Sequence, residues 1–217
     1  NGERVARITS LGRAMNNSHL RLGLLTILAL LTLLGLTAAG GASARAAAHQ
    51  PPNIVFVLTD DLEWSLVQYM PHVQDLQARG TTFTNYFVTD SLCCPSRSSI
   101  FTGLFPHDSC VYANTCRQGG LAAFRAHGDE AKTFAVTLHA EGYLTSMLGK
   151  YLNGYKPRTL IVPAGWDDWH VAGNGYPEFN YNLNENGQLV HYGGRTSPTN
   201  YLTDVLSTKA TNFIDEA

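Results

Sequence analysis

Apolar residues fall in this chain into short unbroken runs and helically spaced stripes. The run Asn53-Ile54-Val55-Phe56-Val57-Leu58-Thr59 has strand length and ends at Asp60-Asp61, the pattern of a central strand buried on both faces. Pro71 opens a helical pattern that carries Val73 and Leu76 on one face and closes at Gly80. Residues 81–88, rich in Thr, Phe and Tyr, read as a second strand. Thr133 is placed to cap a helix carrying Phe134 and Leu138 and ending at Gly142, and residues 143–148 form the next strand, with Gly149-Lys150 at its end. Residues 179–183 and 188–192 flank Asn186-Gly187, a two-residue hairpin signal. From Asn200 the spacing of Leu202, Val205, Leu206, Ala210 and Phe213 predicts an amphipathic helix. Strand, helix, strand in this order predicts an α/β fold with a mostly parallel sheet and helices on its faces. Ligands of such sheets bind beyond the carboxyl ends of the strands, and Asp60, Asp61 and Lys150 all stand there.

A different pattern occupies the N-terminus. Residues 22–39 are nearly continuous in Leu, Ile, Thr, Ala and Gly, preceded by Arg13 and Arg21 and followed by Ala42-Ser43-Ala44 and Ala46-Ala47-Ala48. This is the layout of a secretory signal with two candidate cleavage points; a membrane anchor is the competing reading, disfavoured by the small-residue tail. Met15 is the first methionine, so residues 1–48 are read as an upstream extension plus signal, and 49–217 as the N-terminal part of a catalytic domain. The expected location is secreted or periplasmic, without a stable membrane partner. In an oxidising compartment Cys110 and Cys116, both in the polar loop 108–117, would close a small ring or stand as two free thiols. Of the 217 residues, 44% are hydrophobic and 15% charged, enough for one domain with a real core. A net charge of −2 without basic runs excludes nucleic acid as an expected partner.

The chemistry concentrates in Leu92-Cys93-Cys94-Pro95-Ser96-Arg97-Ser98-Ser99-Ile100-Phe101-Thr102-Gly103. Pro95 suits the first position of a helix and Gly103 its end, which puts Cys93 just before the positive end of a short helix. Backbone N–H groups there favour an anion, and the planar fork of Arg97 fits a tetrahedral oxyanion. The competing reading is a buried structural Cys pair or half a zinc site, but adjacent cysteines are poorly placed to share one tetrahedral metal and no C-x-x-C pair follows. Asp60-Asp61 offers hard oxygen ligands of the kind calcium or magnesium prefers, though acidic pairs also serve as solvated turns.

The run from Cys93 to Gly103 resembles the C-x-P-S-R…T-G signature of the formylglycine-dependent sulfatases. The wording around Gly149-Lys150-Tyr151-Leu152-Asn153-Gly154-Tyr155, Pro163-Ala164-Gly165-Trp166, Tyr181-Asn182-Leu183-Asn184 and Tyr201-Leu202-Thr203-Asp204-Val205-Leu206 is similar to the N-acetylglucosamine-6-sulfatase branch and to bacterial arylsulfatases. The resemblance covers nearly everything from Asn53 onward. It implies an alkaline-phosphatase-like fold, of which this chain holds the N-terminal portion, and hydrolysis of a sulfated sugar, such as a glycosaminoglycan fragment, or of an aryl sulfate. It implies that a formylglycine-generating enzyme oxidises Cys93, whose hydrate attacks sulfur and expels the alcohol before a second hydroxyl releases sulfate. It implies a calcium or magnesium ion held by Asp60, Asp61 and the modified Cys93, with Lys150 and Arg97 on the sulfate and His107 in the catalytic set or orienting its loop. Many sulfatases carry His two residues beyond the lysine, where this chain has Leu152, so one acid/base or sulfate contact of the family has no counterpart at this position. Trp166 and Trp169 read as sugar platforms or as core. A phosphoester or phosphonate hydrolase of the same superfamily, and an inactive fragment kept for its fold, are the competing functions.

Overall fold

The computed structural model describes residues 51–194 and 198–217, so the signal-like residues 1–48 lie outside the described part. The chain divides after Leu58 into two units. Of the first, residues 51–58 are described, and they form neither helix nor strand. Ile54, Val55, Phe56 and Val57 are exposed, which corrects the expectation of a buried central strand there. A strand exists only through its neighbours, and no described strand pairs with this run. Residues 81–88, in the second unit, likewise form no strand, and Phe83, Tyr86 and Phe87 face solvent.

Six α-helices and four strands make up the described fold, joined by short 3₁₀ turns. Helix α1 (Pro71–Arg79) begins with proline and stops at Gly80 as expected, but its apolar face stays largely open. Helix α2 is Cys93–Thr102, α3 Pro106–Ser109, α4 Gly120–Ala126 and α5 Phe134–Ala140. Strands β1 (Ser146–Gly149), β2 (Asp168–Val171), β3 (Tyr181–Glu185) and β4 (Gln188–Tyr192) lie side by side in chain order. Helix α6 spans Leu202–Glu216.

The sheet is mixed rather than mostly parallel: β1 and β2 run parallel, while β2, β3 and β4 are antiparallel. The reversal between β3 and β4 follows from Asn186 and Gly187, whose φ values of 51° and 84° give the twist a two-residue hairpin needs, with Glu185 opposite Gln188. Alternation along the strands divides the side chains between two layers. Trp169 and Val171 join Cys94, Phe101, Val111, Phe124, Tyr151, Leu152 and Tyr155 in one core under α2 and α4. On the other face Tyr181 and Leu183 meet Leu202 and Val205 of α6 in a second core.

Aromatic packing dominates the first core. Tyr151 lies 5.2 Å from Phe101 and 5.1 Å from Trp169 between ring centroids, in the tilted and edge-on geometries such rings prefer. Trp169 is fully buried and donates its indole N–H to Tyr155 Oη at 2.9 Å, and Trp166 packs edge-on against Phe134. Both tryptophans are therefore core rather than sugar platforms. Leu152 is fully buried in the same cluster, so the position two residues beyond Lys150 is a packing position and supplies no group to the site.

Candidate active site

Helix α2 carries the reactive motif, and its start differs by two residues from the sequence reading. Cys93 is the first helical residue and Pro95 the third, where a missing N–H is equally harmless because the first four amides of a helix have no partner within it. Gly103, at φ 72°, ends the helix in the left-handed conformation glycine adopts freely. The Cys94 amide donates to Asn114 Oδ1 at 2.7 Å, a cap supplied from twenty residues away. The two cysteines then part company. Cys94 is fully buried and burial pushes its thiol pKa up, whereas Cys93 is half-buried at the helix start.

Around Cys93 the chain assembles charge from three places. Ligand atoms of Asp60, Asp61 and Cys93 all lie within 4.8 Å of one another. Lys150, at the end of β1, donates from Nζ to Asp60 Oδ2 at 2.7 Å, and its side chain is only 5% exposed. Arg97 reaches the same carboxylate with Nη2 3.8 Å from Asp60 Oδ1, and its Nη1 donates to the Lys150 carbonyl oxygen at 2.6 Å. A buried guanidinium held by a backbone carbonyl has one orientation, so the two cations form a fixed pair. Burial pulls the Lys150 ammonium down, but hydrogen bonds to Asp60 and Tyr176, the Asp60 charge and the Cys93 side chain outweigh it and leave the pKa above the ordinary lysine value.

The donor set suits a hard divalent cation. Two adjacent carboxylates offer hard oxygen donors of the kind calcium or magnesium prefers, and Asp61 sits at φ 54°, a conformation uncommon outside Gly, Asn and Asp. A thiolate is a poor third ligand for such an ion, whereas an oxygen at the Cys93 position would match it. The sequence-expected residues Asp60, Asp61, Cys93, Arg97 and Lys150 thus come together, although the strand expected to deliver the aspartates is not formed. His107 stands apart from these contacts: in α3, exposed, its ring is stacked 5.6 Å from Phe105 and its Nε2 lies 3.5 Å from Asp108. Cys110 and Cys116 are free thiols, not a closed ring.

Two residues of the site had no local signal. Asn114 lies in a loop, and Tyr176 in the turn between β2 and β3, where its hydroxyl accepts from Lys150 Nζ at 3.2 Å. Each contact spans twenty residues or more, beyond the reach of periodicity or turn chemistry.

A cysteine at a helix start, beside two aspartates, an arginine and a lysine, defines a charged, anion-binding type of site on an α/β fold, and the family follows from comparison with known proteins. The family model Sulfatase matches residues 52–217, and the chain belongs to the sulfatase family. It is 38% identical over 167 residues to the putative extracellular sulfatase Sulf-1 homolog of Caenorhabditis elegans, covering 76% of this chain and 23% of that protein. It is 35% identical over 193 residues to N-acetylglucosamine-6-sulfatase of Homo sapiens, covering 85% and 35%. A solved structure of a protein in complex with its substrate D-glucosamine-2-N,6-O-disulfate is similar at TM-score 0.52 and 25% identity, covering 68% of this chain and 26% of that one. The chain therefore spans about a quarter to a third of the length of these relatives.

Proposed function

We propose that the protein hydrolyses a sulfate ester of a sulfated sugar, releasing inorganic sulfate, with the oxygen of a formylglycine made from Cys93 as nucleophile. The observation that carries this reading is the convergence of Cys93, Asp60 and Asp61 within 4.8 Å, with Lys150 bonded to Asp60. Cys93 rather than Cys94 is the residue modified, because Pro95 and Arg97 stand at the motif's offsets from Cys93 alone. Arg97 and Lys150 bind and orient the sulfate oxygens, and the α2 N-terminus adds the partial positive charge of its free amides. Their fixed placement concentrates positive charge where the leaving alcohol and the sulfuryl oxygens gain negative charge. Asp60 and Asp61 would hold calcium or magnesium, which when bound neutralises ester oxygens and favours the ionised hydrate. His107 is assigned no chemical step.

The sugar-sulfate class is supported by the relatives named N-acetylglucosamine-6-sulfatase and by the neighbour bound to a disulfated glucosamine. Export is supported by the signal-like residues 22–39 and by the relative named extracellular sulfatase. Among the described residues no helix is long and apolar enough to cross a membrane.

The test uses the full-length protein co-produced with a formylglycine-generating enzyme. Mass spectrometry of the Cys93 peptide should find formylglycine at Cys93 and an unchanged Cys94, and N-acetylglucosamine 6-sulfate should yield inorganic sulfate. Aryl phosphate cleaved faster than aryl sulfate would replace this reading with a phosphoesterase. An unmodified Cys93 in active enzyme would remove the nucleophile.

A further inference from the structure

Lys150 has a second side-chain partner besides Asp60. Beyond β2 the chain runs through Gly173-Asn174-Gly175-Tyr176, and this turn closes over the lysine. A Cβ on Gly175 would lie a tight 3.3 Å from Lys150 Cβ, and its φ of 75° is the left-handed conformation that favours glycine. The approach brings Tyr176 onto the ammonium by both of its chemistries. Its hydroxyl accepts from Nζ at 3.2 Å, and the same Nζ stands 4.7 Å from the ring centroid, within cation–π range.

The remaining observation is exposure. The Lys150 side chain is nearly closed off, while Tyr176 leaves 60% of its surface in solvent. A sulfate reaching Lys150 must leave its alcohol half outside the buried cluster, and the exposed phenol ring is what that half meets beside the lysine. A ring with a cation over one side and most of its remaining surface open to water is suited to the C–H face of a sugar.

We propose that Tyr176 is a positioning and specificity residue: its hydroxyl fixes the Lys150 ammonium for the sulfate, and its open ring face receives the sugar. This rests on the sulfatase reading above. Such a residue contributes the same binding to the ground state and the transition state, so its loss raises KM and leaves kcat nearly unchanged.

The experiment compares full-length wild type, Tyr176→Phe and Tyr176→Ala, each with formylglycine verified at position 93. KM and kcat are measured on N-acetylglucosamine 6-sulfate, and the inhibition constant on inorganic sulfate. Removing the hydroxyl in Tyr176→Phe should raise both KM and the sulfate inhibition constant about tenfold, as expected for one hydrogen bond to a charged group. Tyr176→Ala should weaken sulfate equally but raise the sugar-ester KM a further fivefold or so, because only the ring is lost between the two variants. The melting temperature should stay put in both. Wild-type KM in Tyr176→Ala, or a fall in kcat at constant KM, overturns the proposal while leaving the sulfatase reading intact. A parallel loss of melting temperature and activity that Tyr176→Phe does not rescue also overturns it, since that marks a packing role. A formylglycine-bearing wild type without turnover of any sulfate ester overturns the sulfatase reading, and the proposal with it.

Discussion

The two halves of the candidate site stand on very different ground. Lys150 and Arg97 grow out of the aromatic core, where Phe101, Tyr151 and Trp169 are almost wholly buried. Asp60 and Asp61 belong to a stretch in which Trp64, Tyr69, Phe83, Tyr86 and Phe87 all keep about 70% or more of their surface exposed. The cations are thus preorganised by packing, while the carboxylates are held mainly by the cations themselves, through the Lys150 and Arg97 contacts to Asp60. Preorganised charge is what makes such a site effective, so the rigid half should set its electrostatics and the exposed half its cation affinity.

The largest effect should come from the point where the halves meet. In the full-length protein Cys93→Ala should lower sulfate-ester turnover by about a thousandfold or more, as loss of a nucleophile does. Cys94→Ala, one residue further into the core, should leave turnover within about threefold and cost stability of the order of 1 kcal/mol for a small buried side chain. Steady-state kinetics with thermal melting checks both, and equal loss of turnover in the two variants would erase the distinction between them.

Packing gives the next contrast. Trp169→Ala empties the centre of the first core and should cost about 3–5 kcal/mol in a denaturant titration of this chain. Phe87→Ala, at 84% exposure, should cost under about 0.5 kcal/mol in the same chain. A large loss at Phe87 would show that the exposed segment is packed in solution.

On the carboxylate side, Asp60→Asn removes one proposed ligand and the charge that Lys150 and Arg97 share. Calcium affinity, read by titration calorimetry on the full-length protein, should fall about tenfold to a hundredfold, with turnover following it. Undiminished affinity would move the cation away from Asp60 and leave that carboxylate as a structural partner of Lys150.

The same contrast explains what the sequence made legible. The Asn186-Gly187 hairpin, the Pro71 helix start and the Leu202 to Phe213 stripe are local devices, written within one turn of chain, and all three appear where expected. The runs at 53–59 and 81–88 were apolar enough for strands, yet strand pairing is decided by partners far along the chain, and no described residues pair with them. Among site residues, Cys93, Arg97, Asp60, Asp61 and Lys150 were legible because each belongs to a compact chemical pattern. Tyr176 and Asn114 were not, since their roles consist of single contacts across loops. Leu152 shows the reverse: a position that looked like a lost functional group is a core position.

A last contrast, read through pH, lies on the α6 face of the sheet. Asp168 accepts from Ser146 Oγ at 2.8 Å and Asn186 Nδ2 at 3.0 Å, and His170 Nε2 stands 2.8 Å away. His170 also lies 3.7 Å from Glu185, itself bonded to Lys209 of α6 at 2.9 Å and to Tyr192 Oη at 2.7 Å. Burial raises the Asp168 carboxyl, but these donors and the His170 charge outweigh it and hold the pKa below the ordinary carboxylate value. A carboxyl whose folded pKa lies below its unfolded one stabilises the fold fully above the unfolded value and loses that contribution as pH falls through the folded value. Stability of this chain should therefore decline below about pH 4, and the decline should be shallower in Asp168→Asn, which has no proton to take up there. At pH 7 the same variant should be less stable by about 1–2 kcal/mol, the usual worth of charge-assisted hydrogen bonds. Denaturant midpoints at pH 7, 5 and 3.5 measure both quantities, and an identical acid decline in wild type and Asp168→Asn would transfer the pH dependence to other carboxylates.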